Sequence, residues 1–281
     1  MNNKNPFFPP AQLPNLTGYV QAPQSPVFGQ QLGVAPQPFV PPEAVQRVLA
    51  RSVEECAAQR NRTAVGDQVT HAGLILDESY SMLTHREAAL TGFNAQVKVV
   101  QDGAKHAGRT LVSLNVFAST PRQVLAVVPA DRLTPLSYDQ YTPNGNTALY
   151  DAIGDTVAML LSQPEADNPN TAFLVAAFTD GGENWSRRYT GTLLKDLITR
   201  LEATGRWTFT LMGPQGGALE MAGVLNIARG NVATFDPSKS DSVVGAFQAM
   251  ASASESYMSL RAVGAMASNA LYANADTFQK D

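Results

Sequence analysis

The chain has 281 residues, enough to bury a sizeable core in one large α/β domain with appendages or in two small ones. Charged residues make up 16% of it and the formal net charge is −4, so no concentrated basic face marks it for nucleic acid or an anionic membrane. No stretch approaches the ~18 consecutive apolar residues of a membrane span, the opening MNNKNPFFPPAQLPN lacks the basic-then-apolar order of a secretion signal, and Cys56, the one cysteine, excludes an intrachain disulfide; the expectation is a soluble, cytoplasmic protein.

Residues 1–42 are dense in Pro, Gln, Asn and Phe, nearly uncharged and without helical or strand periodicity, so they form no core alone. They read as an extended N-terminal arm: either a disordered tail or a segment whose Phe7, Phe8, Tyr19, Phe28 and Phe39 anchor on other subunits of an assembly. Residues 43–69 read as a helical linker, on the spacing of Val45, Val48, Leu49 and Val53.

From there strands and helices alternate. A buried strand is predicted over 71–76, then a helix over 84–106 with Leu90, Phe93, Val97, Val100 and Ala104 on one face. Strands at 110–117 and 123–128 precede a helix at 147–161, and the uninterrupted apolar run 172–178 fits a parallel strand covered on both faces. A helix at 190–203, a strand at 207–212, a helix near 217–228, a short strand at 232–235 and a long helix from 241 to about 267 complete the domain, 70–267, before a tail at 268–281. This alternation predicts an α/β fold with a doubly wound, mostly parallel sheet flanked by helices. Ligands of such sheets sit beyond the carboxyl ends of the strands.

Three segments rich in hard oxygen donors follow predicted strand ends or open predicted helices. They are Asp77-Glu78-Ser79-Tyr80-Ser81, the turn Pro143-Asn144-Gly145-Asn146-Thr147, and Thr179-Asp180-Gly181-Gly182-Glu183-Asn184. A helix cap alone would also explain Asp77, Ser79 and Ser81, because Ser and Asp before a helix satisfy its first amides. His71, His85 and His106 are scattered without metal-ligand spacing.

Together the three segments resemble the metal-ion-dependent adhesion site of von Willebrand factor A domains. That pattern is Asp-X-Ser-X-Ser, a distant Thr after a Gly-containing turn, and an Asp after the fourth main strand; Asp77, Ser79, Ser81, Thr147 and Asp180 fill its positions. The resemblance implies a Mg2+ or Mn2+ site. Ser79 and Ser81 would coordinate directly, Thr147 directly or through water, and Asp77 and Asp180 largely through water. A protein partner's Glu or Asp would take the remaining position. Two carboxylates with three hydroxyls suit an ion that wants about six oxygens and few charges.

Tyr80, Asn146, Glu183, Asn184 and Trp185 are the expected partner-binding rim, although ordinary turn positions would also account for the last three. Glu78 is expected on the surface, pointing off the site. Asp151 reads either as an acceptor behind the ligands or as a solvated helix position, and Arg187 and Arg188 as solvated.

No phosphate-binding loop, nucleophile elbow or general base accompanies the segments, so the chain is expected not to be an enzyme. The expected function is metal-dependent protein–protein binding, in a structural or assembly role within a large complex, a phage virion among the settings that the family offers. The alternatives are an adaptor subunit of an AAA+ ATPase and, from another class, a metal-dependent hydrolase.

Overall fold

A computed structural model describes residues 39–61 and 67–272. The chain divides into two units, Met1–Pro38 and Phe39–Asp281. The first, with Phe7, Phe8, Tyr19 and Phe28, and the tail 273–281 lie outside the described residues.

Six strands form one sheet: β1 (Val69–Asp77), β2 (Arg109–Phe117), β3 (Pro121–Pro129), β4 (Thr171–Phe178), β5 (Trp207–Pro214) and β6 (Val232–Phe235). Their order is β3-β2-β1-β4-β5-β6, parallel throughout except for antiparallel β3 at one edge. Every residue of β1 and β4 is buried, because helices cover both faces of the sheet and each strand needs apolar side chains on both.

The strand periodicity sorts those side chains between two cores. Leu74, Leu76, Leu174, Ala176 and Phe178 face α3 (Arg86–Ala104) and α7 (Ser240–Ala262). Ile75, Phe173, Val175 and Ala177 face α1 (Glu43–Leu49), α4 (Leu149–Leu161), α5 (Gly191–Ala203) and α6 (Ala218–Leu225). A short α2 (Val53–Ala57), opened by a Ser52–Glu55 capping box, packs on α5. Among the described residues no helix is long and apolar enough to cross a membrane.

Two local features depart from the sequence reading. The last helix ends at Ala262, five residues before the expected limit near 267. Gly264 takes φ +89 and the Ala265 N–H returns to the Leu260 carbonyl at 2.9 Å, the left-handed stop that glycine makes inexpensive. Phe39, expected to anchor on another subunit, packs edge-on against Tyr189 of its own chain with ring centroids 4.9 Å apart.

α3 and α7 approach closely at Gly92, where a Cβ would lie 2.3 Å from the Phe247 Cβ. Gly92→Ala is therefore expected to destabilise the fold by about 1–3 kcal/mol through overpacking. Gly245→Ala, on the same helix pair but with nothing within 4 Å of the added methyl, is expected to be neutral or stabilising. Urea unfolding of both variants checks the contrast; equal losses would show that helix contact does not set the cost.

The register brings the site together. Leu76 lies opposite Phe178 across the β1–β4 pair, so Asp77 and the Thr179–Asp180 turn leave the sheet side by side at the carboxyl ends of its two central strands.

Candidate functional site

Asp77 is fully buried at the end of β1. Its Oδ1 accepts the Ser79 N–H at 2.7 Å and its Oδ2 accepts the Thr179 hydroxyl at 2.6 Å. Ser79 starts the 3-10 segment Tyr80–His85, yet its side chain makes no capping hydrogen bond. The Ser79 hydroxyl instead lies 3.0 Å from that of Ser81, which donates to Asp180 Oδ1 at 2.7 Å. Capping by Ser79 therefore does not account for the segment: its hydroxyl is linked through Ser81 to the second carboxylate.

Thr147 is buried just before α4. Its N–H donates to Asn184 Oδ1 at 2.9 Å, and its carbonyl accepts the Asn184 and Trp185 amides at 3.1 and 3.2 Å. That two-sided clasp sets its hydroxyl beside Gly181. The structure thus gathers Asp77, Ser79, Ser81, Thr147 and Asp180 from three loops at one end of the sheet.

The electrostatics bear on what this group can hold. Burial pushes the Asp77 carboxyl up to about 6, with the Asp180 charge adding to the push against the hydrogen bonds of Thr179 and Ser79. Burial also raises Asp180, opposed by the Ser81 hydrogen bond and by His85. A buried carboxyl and a half-buried one that both resist ionisation favour a cation between them. Among the described residues no group of three His, Cys, Asp or Glu could hold a metal ion; the gathered side chains offer two carboxylates and three neutral hydroxyls. That set fits a hard divalent ion better than a soft one.

No family model matches the sequence, and no curated protein matches it. Among solved structures, the chain is similar to the pilus adhesin SpaC from Lactobacillus rhamnosus GG, with 12% identity and a TM-score of 0.51 over 70% of this chain and 31% of that one. Also similar are a von Willebrand factor type A protein from Catenulispora acidiphila, with 14% identity and a TM-score of 0.44 over 67% and 43%, and proximal thread matrix protein 1 from the mussel byssus, with 15% identity and a TM-score of 0.43 over 66% and 46%. The last was solved with a zinc-occupied adhesion-site motif. The likeness to SpaC is one of fold alone: a mostly parallel, doubly wound sheet flanked by helices. The chain spans less than half the length of each of these structures.

Around this crevice the rim residues divide. Tyr80, 69% exposed, and Trp185, 39% exposed, stand outward, with the Arg187 guanidinium 4.3 Å over the Trp185 ring. Asn146 is exposed and its amide donates to Ser119 Oγ at 3.0 Å. The Asn184 side chain is engaged by Thr147. Glu183 is turned inward: its carboxylate accepts the amides of Tyr150, Trp185 and Ser186 and the Ser186 hydroxyl, capping α4 from outside the helix.

Two further carboxylates are placed differently from their sequence reading. Asp151 is buried, neither solvated nor behind the ligands, and accepts the amides of Arg187, Arg188 and Tyr189 at 3.0, 3.0 and 2.8 Å. Arg188 is paired with both Asp155 oxygens at 2.6 Å rather than solvated. Glu78 points off the site as expected but is buried, not on the surface.

Sequence reasoning placed Thr179 in the third segment without giving it a role, and passed over Tyr141. The Thr179 hydroxyl holds Asp77 Oδ2, and the buried Tyr141 hydroxyl donates to the Asp77 carbonyl at 2.5 Å. Burial, then the nearby Asp77 charge, pushes the Tyr141 phenol far above its ordinary range, so it stays a donor. The hydroxyl of Thr179, between a buried strand and Asp180, was a readable signal; Tyr141 carried none.

Proposed function

We propose that this chain is a divalent-metal-dependent protein-binding module, in which Asp77, Ser79, Ser81, Thr147 and Asp180 hold Mg2+ or Mn2+ and a partner protein presents an acidic side chain to the ion. The observation that carries this reading is the hydroxyl chain from Ser79, which makes no capping bond, through Ser81 to the Asp180 carboxylate. A cation held there supplies positive charge and a coordination position for a carboxylate oxygen. The chain's own groups do the rest. Thr179 and the Ser79 amide fix the Asp77 carboxylate, and Asn184 fixes the backbone of Thr147.

Binding is favoured over hydrolysis because the bordering carboxylates are already engaged. Glu78, Asp151 and Glu183 each accept hydrogen bonds from backbone amides, and Glu78 and Asp151 also face arginines, which leaves none of the three poised to take a proton. The exposed Tyr80 and Trp185 border the ligand group and offer apolar contact area to a partner. The Pro- and Phe-rich arm would join the chain to other subunits of a large assembly.

The test is binding to the partner recovered from the native assembly, in magnesium and in EDTA. Complex formation is expected to be lost in EDTA and weakened roughly tenfold or more by Thr147→Ala. Binding that persists unchanged in EDTA would remove the metal from the mechanism.

A further inference from the structure

Between the first two residues of the ligand group, Asp77 and Ser79, stands a carboxylate with a different task. Glu78 is 4% exposed, at the point where β1 leaves the sheet. Both of its carboxylate oxygens lie 3.0 Å from Arg122 Nη2, on the edge strand β3, and Oε1 also accepts the Thr142 N–H and, at 3.4 Å, the Thr142 hydroxyl. Arg122 donates as well to the Gln140 carbonyl at 2.9 Å. The Glu78 backbone extends the clamp: its carbonyl accepts the Asn144 N–H at 2.8 Å, and the next residue but one, Tyr80, donates its N–H to the Gly145 carbonyl at 3.1 Å. Thr142, Asn144 and Gly145 belong to the turn that delivers Thr147.

We infer that Glu78 is a positioning residue for the metal centre, acting through the 140–147 turn to set Thr147 against the serines of the 79–81 loop. This rests on the metal-binding reading above. The carboxylate touches no member of the ligand group, so its influence passes through the backbone it holds. A buried carboxylate shared by an arginine and an amide is strongly direction-setting, because its charged hydrogen bonds lose much of their strength when either partner shifts. Gln at this position would keep an acceptor for Thr142 but set an NH2 against the Arg122 guanidinium.

The experiment is calorimetric titration of the full chain with Mn2+, in the wild type, Glu78→Gln, Thr147→Ala and the double variant. Glu78→Gln is expected to weaken Mn2+ roughly ten- to hundredfold, the range for groups that orient metal ligands. The double variant is expected to bind about as weakly as Thr147→Ala alone, because the first substitution acts through the second residue. Arg122→Gln, on a half-exposed side chain, is expected to move affinity in the same direction and serves where Glu78→Gln does not fold. Losses that add in the double variant would overturn the route through Thr147, since a general weakening of the fold adds. Unchanged Mn2+ affinity in both Glu78→Gln and Arg122→Gln would overturn the inference while leaving the metal site standing. A wild type that takes up no Mn2+ would overturn the metal-binding reading and this inference with it.

Discussion

In graded magnesium the wild-type chain is expected to gain about 2.7 kcal/mol of stability at a hundredfold excess over Kd, and Asp77→Ala is expected to gain none. For a domain of this size that corresponds to a rise of roughly 5–11 °C in Tm for the wild type. Asp77 is fully enclosed and receives hydrogen bonds from Ser79 and Thr179, yet its carboxyl is still pushed up to about 6 by burial and by Asp180. A raised carboxyl contributes stability below the unfolded-state pKa and loses it as pH rises through the folded value, so at neutral pH the ionised group works against the fold. A bound cation reverses that balance. Because Asp77→Ala also relieves the repulsion with Asp180, its stability in EDTA differs from the wild type for reasons unrelated to metal. The quantity to compare is the magnesium-dependent shift within each protein. Equal shifts in the two would exclude Asp77 from the site.

The parts of this molecule that were legible in its sequence are those governed by local pattern. The apolar runs of β1 and β4 and the period of α3 are set by residues within one element, and each settled its element to within a few positions. The five oxygen donors could be assembled because each follows a strand end or opens a helix, and a doubly wound sheet brings such ends together. What escaped was decided between distant segments. Nothing near Glu78 announces that Arg122, from the antiparallel edge strand, and Thr142 will enclose it. Asp151 is buried by amides that lie 36 to 38 residues further along, and Glu183 reaches back to the α4 amide of Tyr150. A carboxylate beside a turn is usually solvated; backbone amides gathered from another loop overturn that expectation, and they leave no mark in composition. The stop at Gly264 was different, since a glycine inside an Ala- and Ser-rich helix is itself a signal of termination.

At the other end of β1 a second buried charge holds the fold, and its removal is expected to cost the most stability of any substitution considered. Arg261 is fully buried near the end of α7. Its guanidinium donates to Thr70 Oγ1 at 2.9 Å, to the Ala265 carbonyl at 2.7 Å, and to the Val69 and Asn170 carbonyls at 3.3 and 3.4 Å. One side chain thereby ties the last helix and the turn after Gly264 to the starts of β1 and β4. A planar fork with five donors can serve these acceptors at once, which an ammonium cannot, so Arg261→Lys is not conservative here. Burial lowers the Arg261 pKa, yet arginine remains charged, and the carbonyl dipoles around it are what makes that charge tolerable. Arg261→Ala removes charged hydrogen bonds and opens a cavity, for an expected loss on the order of 3 kcal/mol or more and a fall in Tm of roughly 6–12 °C. Thr70 and Asp77 are seven residues apart on a strand that rises about 3.3 Å per residue, which separates this anchor from the oxygen cluster by roughly 23 Å. Substitutions that far apart without shared partners are expected to act independently. Arg261→Ala should therefore lower the unfolding temperature in EDTA and in magnesium alike while keeping the magnesium-dependent shift that Asp77→Ala abolishes. Loss of that shift in Arg261→Ala would mean that the two ends of β1 are coupled, and that the cluster depends on the whole length of the strand rather than on the loops that form it.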